Sequence, residues 1–130
     1  MIVDITNELL TKIKTEVSPI RVLTSFQGTV PSFPTIIFEE DDNSAMIGTK
    51  DSAGFQHSNI AFAIEIFTEG DAKVMEAKRI RNKIDKIMSE DYGMTRGRPM
   101  VIPNYLDNTI YRYKLRYTGA IDKNKKIYRG

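Results

Sequence analysis

No cysteine occurs among the 130 residues, which excludes thiol nucleophiles, Cys-ligated zinc and iron–sulfur clusters and agrees with a reducing compartment. Histidine is nearly absent too. His57 stands alone, and a general base needs a partner to orient it and a pocket to work in, so an ordinary surface or edge residue is expected. Long apolar runs are missing: nothing approaches the roughly 20 residues that span a bilayer, and MIVDITNELL lacks the basic start and apolar core of a signal peptide. The expectation is a soluble intracellular protein with no membrane partner.

Other signatures of chemistry are lacking as well. Gly48 and Gly54 in GTKDSAG have neither the spacing nor the strand-to-helix setting of a phosphate loop. The acids Glu39, Glu40, Asp41 and Asp42 do not continue into the alternating ligands, turn glycine and closing glutamate of a calcium loop; a solvated turn is expected. TRGRP, residues 95–99, could wrap a phosphate with Arg96 and Arg98, but reads better as a basic turn. No nucleophile elbow and no His-Glu helix motif occurs. The expectation is a non-enzyme with no cofactor and no metal.

What is present is a chain of single-domain size, able to bury about two-thirds of its unfolded surface without disulfide or metal. Its formal charge of +2 is unevenly spread. Residues 1–56 carry a net −4 and residues 57–130 a net +6, an asymmetry suited to head-to-tail association of copies or to a nucleic-acid partner.

Ile5, Leu9, Ile13 and Val17, four apart and widened by Leu10, predict one buried face of a helix over residues 5–17. Asp4 is the candidate N-cap, and Pro19 ends the helix at Ser18. Strands are expected at 20–26 (IRVLTSF), 34–40 (PTIIFEE) and 59–68 (NIAFAIEIFT), with a turn at Gly28, Pro31 and Pro34. Between the last two, residues 41–56 lose periodicity and read as a long loop of the kind that is usually functional or disordered, and the first place to look for an interaction surface. A second helix over about 71–89 places Val74, Ala77, Ile80, Ile84, Ile87 and Met88 on one stripe. Its other faces carry Lys73, Lys78, Arg79, Arg81, Lys83 and Lys86, and the spacing allows Glu76–Arg79 and Arg81–Asp85 pairs. Met100–Ile102 and residues 109–121 are further strands. The fold expected is α+β: a two-layer sandwich of a mainly antiparallel sheet, four to five strands, with two amphipathic helices on one face. Residues 1–121 form the domain and 122–130 a basic tail.

Within the last strand, YRYKLRY places Tyr111, Tyr113, Leu115 and Tyr117 on one face and Arg112, Lys114 and Arg116 on the other. Such a row of cations could grip phosphates, face another protein or stay in water. RNA-binding sheets put aromatics and cations together; here they are on opposite faces. A sheet-based nucleic-acid module therefore requires the tyrosines to be uncovered.

The order of elements, with FPTIIFEEDDN (33–43), HSNIAFAIEIFTEG (57–70), AKVMEAKRIRNKIDKIM (72–88) and TGAID (118–122), resembles the small tail-completion proteins of long-tailed bacteriophages, the tail terminators or minor capsid proteins, particularly from phages of Gram-positive hosts. The resemblance spans nearly the whole chain. It implies a structural virion protein, made in the host cytoplasm and resident in the tail. There it forms a ring, usually of six copies, at the head-proximal end, stopping growth of the tail tube and joining it to the head connector. Partners on this reading are further copies, the tail tube protein, the head connector protein and DNA passing through the lumen. A head–tail connector or joining protein is the alternative within the same virion. Ring contacts from sheet edges and loops would map to Arg112, Lys114 and Arg116, to Asp41, Asp42, Lys50 and Asp51 in the 41–56 segment, and to the basic tail.

Overall fold

The computed structural model describes residues 5–25, 32–45, 50–51, 54–55, 57–103 and 109–122. Helix α1, Thr6–Val17, buries Leu9, Ile13 and Val17, the stripe their spacing predicts. Ile5 takes the N-cap position without a side-chain cap; Asp4 lies outside the described residues. At the other end Ser18 turns to extended backbone (φ −48°, ψ 137°), the conformation that a following proline favours.

The sheet is built from β1 (Arg21–Leu23), β2 (Thr35–Ala45), β5 (His57–Glu69), β6 (Thr95–Arg96), β7 (Met100–Ile102) and β8 (Ile110–Asp122), while β3 (Lys50–Asp51) and β4 (Gly54–Phe55) form a separate antiparallel pair. Its strand order is β1-β2-β5-β8-β6, with β7 also on β8. Every pairing is antiparallel except β1 with β2. That parallel pair sets Val22 beside Ile36; parallel neighbours need a crossover and not a tight turn. The expected first strand is thereby shortened to three residues, and the sheet has more strands than the four to five expected.

The larger correction concerns residues 41–56. Instead of one long loop, β2 continues through Ala45, with Asn43 opposite Ile60 and Ala45 opposite Ser58. Sequence periodicity fails there for a local reason: the register shifts between Glu40 and Asp42, a bulge that breaks the two-residue alternation. Asp, Asn and Ser are poor strand formers, but β preference is set largely by cross-strand neighbours, and β5 supplies them.

Gly70, at φ 90°, turns the chain from β5 into α2, Lys73–Asp85. Residues Lys86–Asp91 extend α2 as a π-helical turn, closed by Tyr92 N–H donating to the Ile87 carbonyl at 3.0 Å. Gly93, at φ 72°, then reverses the chain in the left-handed conformation that glycine adopts without penalty. Val74 leaves the expected stripe and is exposed, whereas Ala77, Ile80, Ile84, Ile87 and Met88 are buried.

Both helices cover one face of the sheet. Their apolar stripes meet Ile36, Phe38, Ile60, Phe62, Ile64, Ile66, Tyr113, Leu115 and Tyr117 in a single core, with the Phe38 and Phe62 rings stacked 5.2 Å apart. This is the two-layer α+β architecture the sequence predicts. Among the described residues no helix is long and apolar enough to cross a membrane.

Candidate functional site

The tyrosine side of YRYKLRY is part of the core. Tyr117 and Leu115 are inaccessible, Tyr113 nearly so, and Tyr111 packs half-buried against the cluster. Tyr117 donates its hydroxyl to Asp85 Oδ1 at 2.8 Å. The same oxygen accepts from Ser89 Oγ at 3.1 Å and lies 3.3 Å from Arg96 Nη1. Burial, and then the Asp85 carboxylate, push the Tyr117 pKa well above its ordinary value. Asp85 thus faces inward, and the Arg81–Asp85 pair expected along the helix does not form. Arg81 instead bonds Asn82 Oδ1 and, at 3.3 Å, the Tyr113 hydroxyl.

On the opposite face the three cations have different surroundings. Arg112 meets Glu65 Oε2 at 2.8 Å, and its guanidinium lies over the Phe67 ring, 5.0 Å from the centroid. Both charged side chains are mostly covered, at 18% and 17% exposure. Arg116 Nε donates to Asp41 Oδ2 at 2.9 Å, with both side chains 49% exposed. Asp41 stands at the β2 bulge, two strands away from β8; the bulge and the β2-β5-β8 register bring an acid and a base 75 positions apart into contact. Lys114, between the two arginines and opposite Glu65 in the ladder, has no ion pair among the described residues.

Of the other residues singled out from the sequence, Asp42 lies on β2 opposite Ala61. Lys50 and Asp51 form β3, opposite Phe55 and Gly54. His57 opens β5 opposite Asp122. The tail, residues 123–130, and the turn positions Gly28 and Pro31 lie outside the described residues. Among the described residues no group of three or more His, Cys, Asp or Glu is placed to hold a metal ion. The basic turn at 95–99 becomes part of the sheet: Arg96 faces Asp85, and Gly97 N–H donates to the Arg116 carbonyl at 2.7 Å. A Cβ on Gly97 would meet that carbonyl at 3.3 Å, so the close approach accounts for the glycine.

Among the described residues, two stretches stand open along the β8 side of the sheet. On the outer side of β8 the pairing with β6 stops at Thr118, so Gly119–Asp122 has β5 on one side and no described strand on the other. Farther along, β7 closes the sheet and exposes Met100 and Val101, each more than half accessible. Apolar side chains on an edge strand are a ready surface for pairing with another chain.

No family model matches this chain, and no curated protein does. Solved structures do. A chain described as belonging to the virion of a native gene transfer agent particle matches 90% of this chain and 91% of its own length, with a TM-score of 0.65 and 12% identity. The two share a fold. A second solved chain is 8% identical over 88% of this chain and 94% of its own, at a TM-score of 0.48.

The sequence missed two parts of this surface. The Asp41–Arg116 and Glu65–Arg112 pairs need the strand order to be seen. The open β8 edge had a partial signal: TGAID continues the strand beyond the last residues that β6 can reach.

Proposed function

We propose that this chain is a structural subunit of a phage-like virion, closing into a ring at the head-proximal end of a long tail, where it stops tube growth and meets the head connector. The observation that carries the reading is a fold shared, over nearly the full length of both chains, with a protein of a virion particle. Two features support it. The open edge of β8 at Gly119–Asp122 and the apolar edge at Met100 and Val101 offer a neighbour both backbone and side-chain contacts. A head-to-tail ring joins two different patches of this kind and closes when the rotation per copy fits a whole number.

In the ring, the row of Arg112, Lys114 and Arg116, Asp41 and Asp42 on β2, and Lys50 and Asp51 on β3 face either the neighbouring copy or the lumen. Lys114 is the member of the row whose charge no ion pair of its own chain engages. A joining protein at the head–tail connector of the same virion is the nearest other position.

The test is negative-stain electron microscopy of the purified protein at high concentration with magnesium, with and without tail tubes. Rings with a central hole, or tubes capped at one end, are expected. A monomer that neither closes into rings nor caps tubes would overturn the proposal. Lys114→Gln removes this charge without placing a carboxylate opposite Glu65 and is expected to weaken assembly without unfolding the subunit.

A further inference from the structure

Among the described residues, the largest group of cations without an ion pair is on α2 and not on the sheet. The outward side of α2 and its π-helical extension carries Lys78, Arg79, Lys83 and Lys86, all exposed, around the exposed amide of Asn82. None of these four cations has an ion pair among the described residues. Asp85 is committed to Tyr117 and Arg96, and Glu76, half-buried, borders the same cavity as Arg79 and Lys83 without an ion pair to either. Arg79, Lys83 and Lys86 follow one another at spacings of four and three, so like charges are neighbours on one line. That arrangement destabilises a helix, and no contact within the described chain relieves it.

We infer that this face of α2 binds the phosphate backbone of double-stranded DNA. The surface has the composition that backbone contact requires and little that base reading or protein docking uses. It displays no aromatic ring for stacking, and its carboxylates are outnumbered: Glu76, half-buried, and Glu90, exposed in the π-helical extension. Its cations are mainly lysines, which are depleted from protein–protein interfaces, whereas phosphates remain hydrated and gain by releasing condensed counterions. Cations one helical turn apart are separated by about 5.4 Å along the axis, and duplex DNA carries about one charge per 1.7 Å of its own. Each side chain therefore has a phosphate within reach, in any sequence. The binding is sequence-blind and steeply dependent on salt. It goes beyond the assembly role and does not need the ring, because one subunit presents the whole face.

The experiment is fluorescence anisotropy of a short labelled DNA duplex of mixed sequence, titrated with wild type and with the triple variant Lys78→Gln, Arg79→Gln, Lys83→Gln. Circular dichroism melting checks that the variant folds; the single variant Lys83→Gln, at a fully outward position, serves if the triple does not. Between about 50 and about 200 mM salt, wild type is expected to lose affinity steeply, with the triple variant at least about 10-fold weaker at the lower salt and its log–log slope shallower by roughly 2.7. The single variant is expected to lower the slope by about 0.9. Equal binding and equal slopes for wild type and variant would overturn the inference. So would the absence of duplex binding by wild type at low salt. If wild type instead shows salt-sensitive self-association that the variant loses, the face belongs to an acidic protein surface and the DNA assignment fails.

Discussion

Two rows of cations lie on opposite sides of this molecule, and they differ in what holds them. On the sheet, Arg112 and Arg116 alternate with Lys114 along β8, and each arginine reaches a carboxylate of its own chain, Glu65 or Asp41. On α2, Lys78, Arg79, Lys83 and Lys86 point outward with no partner among the described residues. The sheet row resembles a binding surface in sequence and is in large part an internal neutralisation of charge. By contrast, the helix row, which the sequence places on the faces of α2 away from its apolar stripe, has no ion pair among the described residues. Counting charges on a face is therefore a poor guide until the strand neighbours are known. Three cations on β8 reduce to one unengaged cation once β5 and β2 are laid beside it.

That comparison predicts stability effects of unequal size. The largest is expected for Glu65→Ala, which leaves the mostly covered Arg112 guanidinium over Phe67 without its carboxylate. A loss of about 2 kcal/mol follows from stranding a largely desolvated charge, measured by urea unfolding. A loss below a few tenths would show that the sheet row is as loosely held as the helix row.

Next is Tyr117→Phe, which removes the hydroxyl linking β8 to Asp85 on α2, where the two regions meet. Losing a hydrogen bond to a charged acceptor costs about 1.5 kcal/mol near neutral pH. The variant also alters the pH profile. The folded pKa of Tyr117 is raised above the unfolded value of 10.0, so its contribution is complete below that pH and is lost as pH rises beyond it. Wild type is expected to lose stability above about pH 10, and the variant to lose less over the same range.

A smaller effect is expected for Asp41→Ala, about 0.5 kcal/mol, because both members of the Asp41–Arg116 pair are half exposed and such pairs are well screened. Raising the salt should shrink this loss faster than the Glu65→Ala loss. The smallest is for Lys83→Ala or Lys86→Ala. Each is expected within about 0.5 kcal/mol of wild type, in the stabilising direction if relief of like-charge repulsion dominates. A clear destabilisation there would reveal a partner for the helix row within the chain.

How much of this was legible beforehand depended on the range of the signal. The stripe of Ile5, Leu9, Ile13 and Val17 is local and periodic, and α1 follows it residue for residue. Pro19 ends α1 by restricting the residue before it, and Gly93 permits the reversal after the π-helical turn because it lacks a Cβ. Val74 was misplaced because one apolar residue near a helix start fits a stripe that the sheet below does not extend to cover. Residues 41–45 were misread because their pairing partner is β5, and a bulge at Asp41 removes the alternation on which reading a strand depends. The Arg81–Asp85 pair failed because the buried tyrosine hydroxyls of β8 compete for both groups.

The division of the chain into two amphipathic helices and alternating strands, the separation of the tyrosines of YRYKLRY from its cations and the lopsided charge were determined by the sequence itself. Each is set by which apolar residues fall within a turn of helix or on alternate positions of a strand. Which cations keep their charge available was decided only by the tertiary structure. Ion pairing acts over a few ångströms in space without regard to separation in the chain, and the strand order β2-β5-β8 brings Asp41 and Glu65 to the arginines of β8 while leaving the outer face of α2 unmatched.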